Sequence, residues 1–505
     1  MWRVAGRLKN SGERLINPIR AFSSLSSQEP ISWSFWRQSI ANSGESTFLR
    51  NFQLPRDRSS LAQLMRTVAT NKERHGDFVP RVVIQSVCKA YKSLDFDGKR
   101  IFQLTLARDL HVDASELKQQ LVSVAKTIDT ITDTSGSVDW DHEQLEKYLR
   151  STRQLRESLT PLHELLFHQV LSQLPNGMLF LVQLRADVRQ TLSKGHTTLL
   201  KNELVALRAL DSELQTFLAA WFSVGFLSLE RVTYERSSGA LLEKIIRYEA
   251  VHPVGTIIEL KRRLGRGRRC YAFFHPSVPE EPLVFVHVAL VPELASSMGY
   301  IKEQTEVLEH EHDAKAAIFY SISSTQPGLQ GVDLGNYLIK EVAKRLQEEL
   351  PNVSLYSTLS PIPGFTKWLQ ISEANVISPS EKDQLMASGF DSLLSALATP
   401  AWNEDQALLR LLKPILLRLG AHYIMNEKKR GKALCPVANF HLRNGAIFER
   451  LNWLGDPSPK GLSQSAGLMV NYKYDLNKVE ANNEQYLLSN TIAIGEQPKS
   501  LLNTK

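Results

Sequence analysis

The residues best placed to do chemistry lie in the C-terminal half of this 505-residue chain. Gln330-Gly331-Val332-Asp333-Leu334-Gly335-Asn336 stands between an apolar run of strand character, 317–323, and a helical pattern that starts near Asn336. Glycines let the main chain approach an anion, and the first turn of a helix offers unpaired N–H groups at the positive end of its dipole. Such a turn can hold a pyrophosphate, although a two-glycine turn before a helix is more often plain structure. It lacks the Gly-Lys-Ser/Thr of a Walker loop and the three-glycine dinucleotide fingerprint. Ser360 ends a further apolar run, 353–359, and is followed by Pro361, Pro363 and Gly364, which stiffen the turn. The carboxyl end of a strand at a crevice is where open α/β sheets place ligands. Taken singly, Ser360 reads as a turn or capping serine, His441 as a satisfied structural histidine and Tyr474, on an alternating strand, as a packed tyrosine.

The elements that must position these groups fall into two regions. From about residue 55 to 230 the pattern is helical and leucine-rich. Asp113 with Glu116 forms a capping box followed by Leu117, Leu121 and Val124 on one face, and Thr160-Pro161 reads as an N-cap with proline at the first helical position. No fixed repeat is found, so a bundle is expected and not a solenoid. Beyond residue 230 proline and glycine become frequent and the texture turns α/β. Strands are expected at 283–290, 317–323, 353–359 and 467–474. Helices are expected from Asn336, with Leu338, Val342, Leu346 and Leu350 on one face and Pro351 as the stop, at 405–419, and as a short piece after His441.

The turn at 330–336 resembles the acetyl-CoA-binding turn of the GNAT acetyltransferase superfamily, with Asp333 where that superfamily usually has glycine. The segments AIFYSIS, GLQGVDLGNYLIK, LSPIPGFTKWL, CPVANFHLRNGAIFERLNW and GLMVNYKY, in this order over 316–474, resemble the catalytic domain of the malonyl-CoA decarboxylases. The stretch from His252-Pro253 through Lys261-Arg262-Arg263 to Arg268-Arg269-Cys270-Tyr271 is similar to the same family. The resemblance implies an N-terminal all-helical bundle followed by a GNAT-like α/β domain, removal of carbon dioxide from malonyl-CoA to give acetyl-CoA, no cofactor or metal, and a homotetramer. It implies Ser360 and His441 as catalytic residues and 330–336 as the malonyl-CoA-binding turn. Asp333 stands where the family usually has glutamate, and Tyr474 corresponds to its tyrosine in the last strand. Decarboxylation passes through an enolate-like state that needs donors at its oxygen and a proton at its carbon. His441 suits the proton donor. Ser360 would hold the carboxylate or relay the proton, Asp333 would orient His441 or Ser360, and Tyr474 would donate to the enolate oxygen. The runner-up functions are a GNAT-type acyltransferase and a non-catalytic CoA-binding scaffold.

Composition narrows the class. Hydrophobic residues at 43% and charged residues at 22% describe a globular protein. Of the formal charge of +7, an excess of four sits in residues 1–27, where Arg3, Arg7, Lys9, Arg14 and Arg20 face only Glu13. The remainder gives no electrostatic case for nucleic acid. That basic, acid-poor start ends in Ser23-Ser24-Leu25-Ser26-Ser27, as a transit peptide does, and Arg20-Ala21-Phe22-Ser23 resembles a mitochondrial processing site. The expected order is therefore transit peptide 1–27, linker 28–54, helical and oligomerising domain 55–226, catalytic domain 227–490 and tail 491–505. The mitochondrial matrix is the expected location, with cytoplasm or peroxisome as alternatives. The ending Leu502-Asn503-Thr504-Lys505 is not the peroxisomal Ser-Lys-Leu. The apolar stretch 214–229 is too short for a membrane span and reads as a buried helix. Cys88, Cys270 and Cys435 lack metal or disulfide spacing and read as free thiols. Two clusters read as decoys. The basic run Lys261, Arg262, Arg263, Arg266, Arg268 and Arg269 is assigned to CoA phosphates or a solvated face, and His310 and His312 with Glu309, Glu311 and Asp313 to an exposed charged loop.

Overall fold

A computed structural model describes residues 62, 63, 65, 66, 78–131, 142–194, 199–307, 311–332 and 334–503. The chain divides into two compact units, residues 1–214 and 215–505. The expected transit peptide and linker, together with Asp333, Glu309 and His310, lie outside the described residues.

The first unit is helical: α1 (Phe78–Ser93), α2 (Phe96–Leu104), α3 (Ala114–Ile131), α4 (His142–Ser158), α5 (Leu162–Gln173), α6 (Gly177–Lys194) and the first two-thirds of α7 (Lys201–Trp221), which carries the chain into the second unit. Its core is drawn from Leu166, Phe167, Leu181, Leu184, Val188, Leu207 and Leu210. Buried charge is paired, as burial demands: Arg185 meets Asp211 at 3.0 Å. A π-helical turn at Thr105–Asp109 accompanies a tertiary bond in which His163 Nδ1 lies 3.1 Å from the Leu106 carbonyl. The Asp113 cap forms, its Oδ1 accepting from the N–H groups of Ser115 and Glu116. Val124 is buried behind it, whereas Leu121, expected on the same face, is 50% exposed. At Thr160-Pro161 the proline is itself the N-cap in extended geometry, and the Thr160 hydroxyl bonds back to the Arg156 carbonyl. A residue without an N–H suits the position before the first turn, so the boundary moves by one.

The second unit is a mixed sheet with helices. Its elements are β1 (Ser228–Val232), α8 (Gly239–Tyr248), α9 (Ile257–Leu264), β2 (Arg268–Phe274), β3 (Val284–Val291), α10 (Met298–Val307), β4 (Ala316–Ser324), α11 (Leu334–Glu349), β5 (Leu355–Thr358) and β6 (Ser360–Pro361). They continue with α12 (Phe365–Val376), α13 (Pro379–Ala387), α14 (Leu393–Leu397), α15 (Gln406–Met425), the β7–β8 hairpin (Lys428–Lys429, Lys432–Ala433) and α16 (Pro436–Arg443). The last are β9 (Ile447–Asn452), α17 (Pro459–Ser465), β10 (Met469–Tyr474), α18 (Val479–Ser489) and α19 (Glu496–Asn503). The eight-stranded sheet runs β1-β2-β3-β4-β5-β10-β6, with β9 also on β10. Among the described strands, β4 and β5 alone pair in parallel, joined through α11. This is the α/β layout expected, consistent with a GNAT-like domain.

The expected strands appear within one to two residues at each end, apart from 353–359, of which only Leu355–Thr358 is strand (β5), with β6 starting beyond it at Ser360. Leu338, Val342, Leu346 and Leu350 form the buried face of α11. Helix α15 begins at an Asp405 cap and runs past the expected end at 419 through Pro414 to Met425. Two expectations fail, one through a local proline cap and one through burial in the sheet. His441 lies inside α16 and not before a helix, because Pro436 starts that helix five residues earlier. Arg268 and Arg269 belong to the fully buried strand β2. Residues 491–505, expected as a tail, carry α19, tied down by two hydrogen bonds between the Gln497 amide and the Leu451 backbone. No described helix is long and apolar enough to cross a membrane. In the 214–229 stretch Leu214, Leu218 and Phe222 are buried, while Trp221 and Phe226 are exposed.

Candidate active site

The parallel register of β4 and β5 ends at Phe319–Thr358, after which β4 runs on to Ser324 while the chain beyond Thr358 pairs with β10 instead. Ser360, 6% exposed, therefore sits where two neighbouring strands part. Strand alternation aims Thr358 and Ser360 to one face, and on β10 it does the same for Tyr472 and Tyr474. Helix α16 brings His441 over them. His441 Nε2 lies 3.1 Å from Ser360 Oγ, and His441 Nδ1 lies 2.8 Å from Tyr474 Oη. The Ser360 hydroxyl donates to Thr358 Oγ1 at 2.9 Å, and Thr358 Oγ1 also accepts the Tyr472 N–H at 3.1 Å. The imidazole stacks on Tyr472, centroids 4.7 Å apart.

These partners define a direction. Because the Ser360 proton is spent on Thr358, Ser360 Oγ accepts from His441 Nε2–H, and the neutral ring leaves Nδ1 to accept the Tyr474 hydroxyl. Burial pushes His441 down to about 3, so it is neutral at physiological pH. Burial likewise raises the Tyr474 hydroxyl well above its ordinary value, so it stays a proton donor.

The glycine turn lies next to this line. Gly331 has φ +88°, a conformation that favours glycine, and its carbonyl accepts from Gln215 Nε2 at 3.0 Å. A Cβ on Gly335 would come within 2.8 Å of the Phe440 ring, so the first turn of α11 abuts the helix that carries His441. Gln330 and Gly331 are exposed, Val332 and Gly335 half-buried, and Leu334 buried at 4%. The backbone of Asn336 is helical. The structure thus brings together the turn, Ser360, His441 and Tyr474. It occupies Tyr474 with His441 Nδ1 and not with an open oxygen site.

Comparison with known proteins bears on both regions of the chain. Residues 225–505 match the family model described as Malonyl-CoA decarboxylase C-terminal domain, and residues 129–222 match its N-terminal domain. The chain belongs to the malonyl-CoA decarboxylase family. Among relatives, the mitochondrial malonyl-CoA decarboxylase of Mus musculus is 45% identical over 370 residues, covering 70% of this chain and 74% of its own. That of Anser anser anser is 43% identical over 370 residues, covering 70% and 72%. Among solved structures, the malonyl-CoA decarboxylase of Rhodopseudomonas palustris superposes with TM-score 0.72 at 35% identity, covering 89% of this chain and all of that one. The Agrobacterium vitis protein gives 0.74 at 31%, covering 88% and 99%.

Within this candidate site, sequence reasoning missed Thr358, Tyr472 and Phe440, which surround Ser360 and His441. Period-two alternation from Ser360 and Tyr474 would have found the first two. Nothing in the pattern marks Phe440, whose role depends on how two helices meet. The decoys resolve in part as expected: Lys261, Arg262, Arg266, His312 and Asp313 are exposed. Arg269, 3% exposed, is neither a phosphate ligand nor a solvated charge: it pairs with Glu311 at 2.7 Å and Glu349 at 2.8 Å. Its guanidinium and the Gly267 N–H hold Glu311 down to about 2. Arg263 binds Glu259 and the His252 carbonyl. Glu311, expected in an exposed loop, is therefore a structural anchor. Among the described residues no acidic, histidine or cysteine group has metal-binding geometry. Cys88, Cys270 and Cys435 are free and buried.

Proposed function

We propose that this chain converts malonyl-CoA to acetyl-CoA and carbon dioxide at the Tyr474–His441–Ser360–Thr358 line. The observation that carries this is the Ser360–His441 hydrogen bond at the mouth of the strand opening, next to a turn suited to pyrophosphate. Gln330 to Asn336 cradle the pyrophosphate from the start of α11, and the thioester reaches the opening beside Ser360. An anionic malonyl carboxylate entering this buried site lifts the His441 basicity that burial had suppressed, so the substrate arrives with the proton it will need. Loss of carbon dioxide moves the C–C bond pair into the thioester, forming an enolate. The enolate carbon takes the Ser360 proton, and Ser360 regains one from His441 Nε2. One proton is consumed per turnover, and water restores it. Tyr474 fixes the ring and, once Nδ1 is protonated, accepts from it. Asp333 is assigned to the same turn as a charged residue that orients the site.

The wider assignments form part of the same reading. Residues 1–27 direct the chain to the mitochondrial matrix, 55–226 form the oligomerising domain and 227–490 the catalytic one. Leu121, Val122 and Ile128 on α3 and Leu145 and Leu149 on α4 are exposed apolar residues of the kind a homotetramer would cover. Nucleic acid is not among the partners this reading calls for: within the internal basic run, Arg263 and Arg269 are paired with Glu259, Glu311 and Glu349. The test is acetyl-CoA and carbon dioxide formation from malonyl-CoA without an amine acceptor. Acyl transfer to an added amine without carbon dioxide release, or tight binding without turnover, contradicts the reading.

A further inference from the structure

Asn444 ends α16 three residues after His441 and is 1% exposed. Its N–H bonds to the Phe440 and His441 carbonyls, as a helix end requires. Its side chain is different: neither Oδ1 nor Nδ2 has a hydrogen-bond partner. A buried primary amide left unpaired forfeits the hydrogen bonds it makes with water, and native proteins rarely carry one without a reason. Residues three apart on a helix share a face, with Cβ atoms about 5–6 Å apart. The orphaned amide is therefore within side-chain reach of the groups around the imidazole.

The reaction needs a group of this kind. The enolate oxygen gains negative charge as carbon dioxide departs, and a donor there must not itself be acidic, or it would compete with the enolate carbon for the proton. A carboxamide N–H meets both conditions. The donors described along the Tyr474–His441–Ser360 line are committed: the Tyr474 hydroxyl to Nδ1, Nε2–H to Ser360 and the Ser360 hydroxyl to Thr358. We propose that Asn444 is a substrate-contacting residue whose Nδ2 donates to the thioester oxygen of the malonyl group and holds it as an enolate. This rests on the decarboxylase reading. It reassigns to Asn444 the donor role expected of Tyr474.

The test uses the full chain, Asn444→Ala and the near-isosteric Asn444→Leu, with Ser360→Ala as the control for the site. Three quantities are measured: kcat and KM for malonyl-CoA, thermal midpoint, and inhibition by a malonyl-CoA analogue in which a methylene replaces the thioester carbonyl. Removing one oxyanion donor lowers kcat by about 10²–10³-fold. The expected result is that fall with analogue inhibition unchanged, because the analogue has no oxygen for Asn444 to hold. The thermal midpoint is unchanged or higher. A kcat close to the parent value overturns the proposal while Ser360→Ala is inactive. Weakened analogue binding also overturns it, by placing Asn444 on the carboxylate or the fold, and so does failure of both variants to fold. If Ser360→Ala is fully active, the site reading fails with it.

Discussion

Loading of the catalytic proton by the substrate itself is the most exposed consequence of the geometry. In the empty site burial holds His441 at about 3. A malonyl carboxylate about 4 Å from the ring, at an effective dielectric near 20, is worth about 4 kcal/mol of attraction to the imidazolium, enough to return the ring to roughly 6. At pH 6.0 the bound site then takes up about half a proton that the free site does not carry. Isothermal titration calorimetry in buffers of differing ionisation enthalpy reads this uptake directly. The ligands are acetyl-CoA and the carbonyl-free malonyl-CoA analogue, which share every phosphate and differ in the thioester carbonyl and the carboxylate, of which only the carboxylate carries charge. Uptake is expected for the analogue alone and is abolished in His441→Asn. Equal proton exchange for both ligands would refute the reasoning, since the imidazole would then not be answering to the substrate charge.

The same depressed basicity makes a stability prediction. As pH falls below 6.5 the unfolded chain takes the His441 proton while the folded one refuses it, so stability is lost between 6.5 and about 3, by on the order of 5 kcal/mol at most; urea titrations should show a shallower acid loss in His441→Asn. Tyr474→Phe leaves Nδ1 without its donor and should lower kcat about tenfold with KM little changed, in steady-state assays. Gly335→Val places a side chain where the Phe440 ring lies 2.8 Å from a Cβ, so KM for malonyl-CoA should rise by about an order of magnitude or more while the thermal midpoint moves little. Glu349→Ala removes the acceptor shared by Arg269, Arg231 and Tyr271 and should cost about 2–4 kcal/mol in urea unfolding.

Much of the fold and of the site is legible in the residues themselves. The four leucine and valine positions of α11 obey the helical period and are all buried, and Asp405, Pro351 and the Gln330–Gly335 turn mark boundaries by backbone chemistry that acts locally. The motif segments locate Ser360, His441 and Tyr474. What escapes a sequence reading depends on distant residues. Arg268 and Arg269 look like surface charge because the carboxylate partners of Arg269 lie about 40 and 80 positions away, at Glu311 and Glu349. His441 looks like the start of a helix when the capping proline is weighed less than the motif it precedes. Its depressed basicity has no sequence signal at all, since it follows from burial against Tyr472 and Tyr474. Asn444 is visible only as part of a motif; its orphaned amide is a property of the folded site.

One assay tests decarboxylation at this site most directly: carbon dioxide and acetyl-CoA production from malonyl-CoA by the full chain beside folded Ser360→Ala and His441→Ala. The predicted result is turnover by the parent without an amine acceptor, and a fall of about a hundredfold or more in both variants. A folded parent that binds malonyl-CoA but releases no carbon dioxide, or variants that match the parent, would contradict it.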